Sequence, residues 1–82
     1  MKIGDRILFV INFENSIYDI ICECWNGFEG VTYGNTVYKD GHEIFHAGYG
    51  HKIDTYKKAE TFLYEVLQIR DIIDEKRLND DN

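Results

Sequence analysis

Residues 36–46 read TVYKDGHEIFH. Two short segments that combine polar and apolar side chains, residues 36–39 and residues 42–46, flank an Asp-Gly pair, Asp40 and Gly41. Such a pair between two such segments is a strong local signal for a β-hairpin, because a type I′ turn requires positive φ at both central residues. We therefore predict two antiparallel strands joined at this pair.

The segment from residue 6 to residue 13 extends the predicted sheet towards the N-terminus. It is rich in Ile, Leu, Phe and Val, and its side chains are apolar on both faces. A strand that is apolar on both faces is typical of the middle of a sheet. We therefore predict a central strand here.

Residues 16–25 fit two secondary structures. As a helix, the segment would begin with a capping box formed by Ser16 and Asp19. Its β-branched, aromatic and Cys residues are weaker helix formers, which favours a strand that follows a turn at Glu14-Asn15. As a strand, the segment would line one face with Tyr18, Ile20, Cys22 and Cys24.

The C-terminal part of the chain predicts a helix over residues 55–77. Asp54 or Thr55 can cap its N-terminus. A polar tail, residues 78–82, is expected to fray. One apolar stripe recurs at helical spacing and comprises Tyr56, Ala59, Phe62, Leu63, Val66, Ile69 and Ile73.

These elements together predict an α+β fold. An 82-residue chain fits a single domain, residues 1–82. The simplest way to bury the apolar sides of both element types is an antiparallel sheet of three to four strands, within residues 6–50, with the one long C-terminal helix packed across one face.

The charge of the chain limits its partners. The net charge is −6, so direct binding to nucleic acid or to an anionic membrane is disfavoured and a basic partner is favoured. Aromatic residues make up 15% of the chain. The apolar run after residue 6 is too short to span a membrane. Two cysteines do not form a disulfide framework, and we expect a cytoplasmic protein without a targeting signal.

No catalytic or metal-binding pattern stands out in the sequence. The Gly48-Tyr49-Gly50 triplet lacks the third glycine of a nucleotide fingerprint. Two histidines, His42 and His46, would lie about 13 Å apart on a strand, which is too far for one zinc ion. We predict no enzyme activity, no cofactor and no metal, and small core roles for Cys22 and Cys24.

One stretch combines acidic and aromatic residues without any base. Between Arg6 and Lys39 the chain has no Lys or Arg. Aromatic side chains provide contact area and acids steer a basic partner, so this stretch predicts a protein-binding surface. The alternative is that the aromatic residues close the core and the acids are only solvated. The predicted partner-binding residues are Glu14, Asp19, Glu23, Trp25, Phe28 and Glu29.

The Asp40-Gly41 hairpin, the closing helix that begins near Asp54-Thr55, and the small size and acidity of the chain resemble those of small phage-encoded inhibitors of bacterial defence of the anti-CRISPR type. The resemblance covers the whole chain and lies in architecture and charge. It implies a non-enzymatic inhibitor or adaptor that binds a basic, nucleic-acid-binding protein in the host cytoplasm. It assigns no individual residue.

Two other functions fit the same sequence. The chain could bind a nucleotide signal, with Tyr33, Tyr38 and Tyr49 stacking on the base. The nearest cations for its phosphates are Lys39, Lys52 and His51. The chain could also be a structural or assembly subunit whose exposed strands pair with another copy.

Overall fold

A computed structural model describes the backbone of residues 1–80 and the side chains of residues 1–71. The chain forms four strands followed by one helix. The strands make one antiparallel sheet in the order β1-β2-β3-β4, which confirms the predicted α+β fold. The elements are β1 (Arg6–Phe13), β2 (Ser16–Gly27), β3 (Gly30–Lys39), β4 (His42–Ala47) and α1 (Tyr56–Asp80).

Two of the connecting turns have the backbone geometry that their sequences predict. Glu14 and Asn15 have φ values of 49° and 66°, and Asp40 and Gly41 have values of 49° and 86°. Positive φ at both central residues is typical of two-residue type I′ hairpins. Both predicted hairpins are therefore confirmed, and the ambiguous residues 16–25 are part of strand β2.

Asp40 also ties its turn to the beginning of β2. Its carboxylate accepts a hydrogen bond from the Ile17 N–H at 2.9 Å, and its own N–H donates to the Ile17 carbonyl at 2.8 Å. The bond from Ile17 lowers the pKa of the Asp40 carboxyl group because it favours the charged form.

The predicted central position of β1 is wrong. Strand β1 pairs only with β2, from Arg6 opposite Glu23 to Phe13 opposite Ser16, and it forms one edge of the sheet. Its side chains on the uncovered face include Leu8 and Val10, which are 51% and 52% exposed. An apolar run in the sequence shows which side chains a strand carries. It does not show whether the strand has one neighbouring strand or two.

The core lies between α1 and one face of the sheet, which we call the inner face. Phe62 of the helix packs edge-on against Phe45 of β4, with ring centroids 5.6 Å apart. Near the opposite edge of the same face, the ring of Tyr64 packs against the ring of Phe13 of β1, with centroids 5.3 Å apart. The buried side chains of the core are Ile11, Tyr18, Ile20, Cys22, Val37, Ile53, Ala59, Phe62, Leu63 and Val66.

Thr55 provides the N-terminal cap of α1, as one of the two predicted candidates. Its hydroxyl accepts a hydrogen bond from the Lys58 N–H at 3.2 Å. The other candidate, Asp54, instead accepts a bond from Lys58 Nζ at 2.8 Å. This bond is the main reason why the pKa of the Asp54 carboxyl group is lowered.

The predicted apolar stripe of the helix is correct only in its middle. Tyr56 and Ile69 are 51% and 50% exposed, because the sheet covers only the turns from Ala59 to Val66 and both residues lie beyond them. The side chain of Ile73 is outside the described residues. The helix also continues to Asp80, past the predicted end at residue 77, and the rest of the predicted tail, residues 81–82, is outside the described residues.

Candidate protein-binding face

The face of the sheet opposite α1, which we call the open face, has no element packed against it among the described residues. Strand alternation in β2 determines which side chains reach it, because successive residues point to opposite faces. Tyr18, Ile20, Cys22 and Cys24 share one face, as predicted, and this inner-face set is buried. The open-face set consists of Ile17, Asp19, Ile21, Glu23 and Trp25.

Aliphatic side chains from β1 and β2 form the apolar part of the open face. Leu8 lies directly opposite Ile21, and Val10 lies opposite Asp19. Leu8, Val10 and Ile17 are each about half exposed, whereas Ile21 is buried between its neighbours. Leu8, Val10 and Ile21 therefore adjoin one another, and Ile17 lies beyond Asp19 on the same face. Exposed apolar groups that gather on one face are typical of an interaction site.

Trp25 is the aromatic residue of the open face, and Gly34 of β3 determines how it lies. A Cβ atom at Gly34 would stand 2.5 and 2.6 Å from two carbons of the indole ring. The ring therefore rests on the bare backbone of Gly34 and is still 37% exposed. Because the indole packs against the sheet, it presents a rigid aromatic surface to a partner.

Two carboxylates accompany these groups. Asp19 lies between Val10 and Tyr38 in the sheet register, and Glu23 lies between Arg6 and Gly34. In the part of the chain that the structure describes, the two ion pairs join Asp54 to lysines near the helix start. Neither Asp19 nor Glu23 is therefore neutralised by an ion pair within the described residues.

The structure brings together three of the six predicted partner-binding residues. Asp19, Glu23 and Trp25 share the open face. Glu14 lies in the β1–β2 turn at one end of β2, and Phe28 and Glu29 lie in the β2–β3 turn at the other end. A 12-residue strand spans about 36 Å, since each residue rises about 3.3 Å.

Phe28 and Trp25 do not close the core. Phe28 is 98% exposed at its turn. The alternative in which both aromatic residues are core residues is therefore wrong.

Leu8 and Val10 are the open-face residues that the sequence prediction missed. The prediction places them in a central strand that is apolar on both faces, and so not on an exposed surface. The available signal was the chain order of the hairpins, which leaves the first strand of a meander with one neighbour unless a later strand returns to it.

The two cysteines are buried core residues without a disulfide, as predicted. Ile53 donates its N–H to Cys22 Sγ at 3.4 Å, and the Cys22 thiol lies 3.5 Å from the His51 carbonyl oxygen. Burial raises the pKa of the Cys22 thiol because it disfavours the thiolate. Cys22 is therefore a poor nucleophile in the folded protein.

The histidines occupy separate parts of the fold. His46 on β4 is bonded through Nδ1 to the Thr36 hydroxyl at 3.0 Å, whereas His51 packs against Phe62 on the inner side, with ring centroids 6.1 Å apart. Among the described residues, no group of three or more His, Cys, Asp or Glu side chains could hold a metal ion.

The residues considered for a nucleotide do not form one site. Tyr33 and Tyr49 line a shallow pocket of about 250 Å³ that is also lined by Glu29. Tyr38 lies elsewhere, opposite Asp19 on the open face of the sheet. His51 and Lys52 line a different groove of about 330 Å³, between the loop before α1 and the first helical turns.

No protein-family model, curated protein or solved structure matches this chain. Within the described residues, no helix is both long enough and apolar enough to cross a membrane.

Proposed function

We propose that this chain is a non-enzymatic protein-binding domain that docks on a partner through the open face of its sheet. The observation that carries the proposal is the composition of that face. Leu8, Val10 and Ile17 are half exposed beside a partly exposed Trp25, and Asp19 and Glu23 lie among them. Exposed aliphatic side chains, a packed aromatic anchor and charges close to them are the kinds of group that protein interfaces use.

The charge supports a basic partner. The unneutralised carboxylates and the net charge of −6 would accelerate encounter with a positively charged surface and disfavour acidic competitors. Nucleic-acid-binding proteins carry such surfaces. The resemblance to phage-encoded inhibitors of bacterial defence supports the further proposal that the chain blocks a nucleic-acid-targeting protein of that kind in the cytoplasm of a host cell.

Reversal of the two open-face acids tests this proposal. The double variant Asp19→Lys with Glu23→Lys is expected to weaken partner binding about 100-fold, because two attractive contacts become repulsive. The matched control is Glu65→Lys with Asp71→Lys, which makes the same change in net charge on exposed helix positions. The partner would first be captured with the tagged wild-type protein, and both variants would then be titrated against the purified partner by calorimetry.

The comparison of the two double variants distinguishes the effect of charge on the open face from the effect of the overall net charge on binding. The proposal requires that the open-face variant loses affinity while the helix variant keeps it within a few fold. Equal losses would mean that net charge alone attracts the partner. Unchanged binding by both would exclude the open face.

A second function, the binding of a small phosphate-bearing ligand, is favoured by one observation. Three of the nine basic residues of this acidic chain, Lys52, Lys57 and Lys58, line the same groove above Phe62. Asp54 partly neutralises the groove, since it lies 2.8 Å from Lys58 Nζ and 3.8 Å from Lys52 Nζ. Lys57 is exposed and is in neither of these pairs.

Lys57 is therefore the residue that tests the groove. If the groove binds phosphates, Lys57→Glu is expected to weaken ATP binding about tenfold, since a charge-assisted bond becomes a repulsion. Calorimetry with ATP and with pyrophosphate would measure the change. Lys39→Glu is the control, because Lys39 lines another part of the surface. No heat of binding from the wild-type protein would exclude this function.

A further inference from the structure

The two edges of the sheet are built differently. The β4 edge belongs to a strand of six residues, and its pairing with β3 is interrupted between Val37 and Tyr38 by a bulge. One of its carbonyl groups, that of Ile44, accepts a hydrogen bond from Arg70 of the helix at 2.9 Å. Short length, a bulge and an occupied carbonyl are features that protect an edge strand from pairing with another chain.

Within the described residues, the β1 edge has none of these protections. The register of β1 with β2 is continuous over all eight residues. The two-residue hairpin at Glu14-Asn15 makes Phe13 and Ser16 a hydrogen-bonded pair, and such pairs alternate along an antiparallel ladder. The residues whose backbone N–H and C=O groups point away from β2 are therefore Arg6, Leu8, Val10 and Asn12.

Those eight backbone groups have no partner among the described residues. The hydrogen bonds near the N-terminus join Gly4 and Asp5 to Cys24 of β2 and Asp5 to Lys2, and none of them reaches the outer edge of β1. This edge is long and regular, and it carries the exposed side chains of Leu8 and Val10.

We propose that β1 pairs antiparallel with β1 of a second copy of this chain. One register satisfies all eight free groups, because it places Leu8 opposite Val10 of the second copy and Arg6 opposite Asn12 of the second copy. A shift by two residues in either direction leaves one of the four outward-pointing residues unpaired at the end. The two-fold axis passes between Phe9 and its symmetry mate.

The side chains beside the seam between the two β1 strands are complementary in this register. Leu8 and Val10 form two apolar cross-strand pairs, one on each side of the axis. Arg6 lies opposite Asn12 of the second copy, and Glu14 follows in the adjoining β1–β2 turn, so the opposite charges of Arg6 and Glu14 approach one another across the seam. The symmetry creates this opposite-charge pair twice. Strand β1 itself carries no acidic residue that would repel its mate.

The axis is perpendicular to the sheet, so the dimer has one eight-stranded sheet. Both helices lie on one side and both open faces lie on the other. The inference rests on the edge geometry and does not depend on the function proposed above. It identifies a role for Glu14, which the fold places outside the acidic group on the open face.

Mass measurement over a dilution series tests the dimer. Light scattering with size exclusion at about 0.15 M salt is expected to give twice the chain mass of 9.7 kDa at high concentration and the single mass on dilution. Hydrogen exchange should show protection of the Leu8 and Val10 amides that disappears on dilution. A single mass at every concentration up to the millimolar range would overturn the proposal.

Variants at the edge make the test specific. Val10→Pro removes an outward N–H without removing a bond to β2, so it should give a monomer with an unchanged circular dichroism spectrum. Arg6→Glu should raise the dimer dissociation constant about tenfold, and adding Glu14→Arg should restore it. A dimer that survives Val10→Pro, or a charge swap that fails to restore it, would contradict this register.

Discussion

Replacement of Asn35 by alanine is expected to destabilise the fold by about 2–6 kcal/mol, because it leaves two backbone groups without partners. Asn35 lies on the inner face of β3 and is completely buried. Its Nδ2 donates to the His51 carbonyl at 2.9 Å, and its Oδ1 accepts from the His51 N–H at 2.7 Å. Removing the amide leaves two backbone groups without partners, each of which costs about 1–3 kcal/mol.

The same side chain sets the course of the loop that leads into the helix. Gly50 donates its N–H to the Tyr33 carbonyl at 2.6 Å, and a Cβ atom at Gly50 would collide with the Asn35 amide. The loop is thereby held against β3, and it carries Ile53 into the core two residues before the Thr55 cap. Loss of Asn35 is therefore expected to loosen the attachment of α1 as well as the loop.

Urea unfolding followed by circular dichroism would measure the loss. A domain of this size is stabilised by only a few kcal/mol, so the variant should be largely unfolded at room temperature. Asn26→Ala is the matched control, because Asn26 is an exposed asparagine in β2, and it should change the free energy of unfolding by less than about 0.5 kcal/mol. If Asn35→Ala lowers the free energy of unfolding by less than about 1 kcal/mol, the prediction is wrong, and water has replaced the amide as the partner of the two His51 backbone groups.

Substitution of Gly34 by valine is expected to release Trp25 from the sheet and weaken partner binding about 30-fold. A β-branched residue would normally suit a strand better than glycine. Here its Cβ atom would occupy the space of the indole ring, so the ring must leave the backbone of β3. The loss of one preorganised aromatic anchor corresponds to about 2 kcal/mol of binding free energy.

Fluorescence reports this displacement directly, because Trp25 is the only tryptophan in the sequence. The emission of the Gly34→Val variant should shift to the red, while its free energy of unfolding should change by about 1 kcal/mol or less. A double-mutant cycle with Trp25→Ala provides the control. If Gly34→Val acts through the indole, it will weaken binding no further in the Trp25→Ala background, and an additive loss would contradict the mechanism.

Local features of the sequence predicted most of the fold. Asp40-Gly41 determines one hairpin, and alternation along residues 16–25 correctly separates the buried Tyr18 from Asp19. These features are local, because turn chemistry and strand periodicity depend on neighbouring residues. The edge position of β1 is not local, since it depends on whether a later strand returns beside it, and the indication that the sequence offers is the chain order of the hairpins.

The composition of the open face was predicted in part for the same reason. Asp19, Glu23 and Trp25 belong to one strand, so their shared face follows from alternation alone. Leu8 reaches the face only through the pairing of β1 with β2. The role of Asn35 depends on the path of a distant loop, and the sequence alone presents it as one more polar residue in a strand.

The strand order of the sheet also determines how quickly the chain can find its structure. Each strand pairs with its neighbour in sequence, and even the widely separated partners Tyr18 and Lys39 are only 21 residues apart. Short loops close at a low entropic cost, and chains with low contact order fold fast. The contact between Phe13 and Tyr64 spans far more of the chain, so docking of the helix should follow assembly of the hairpins.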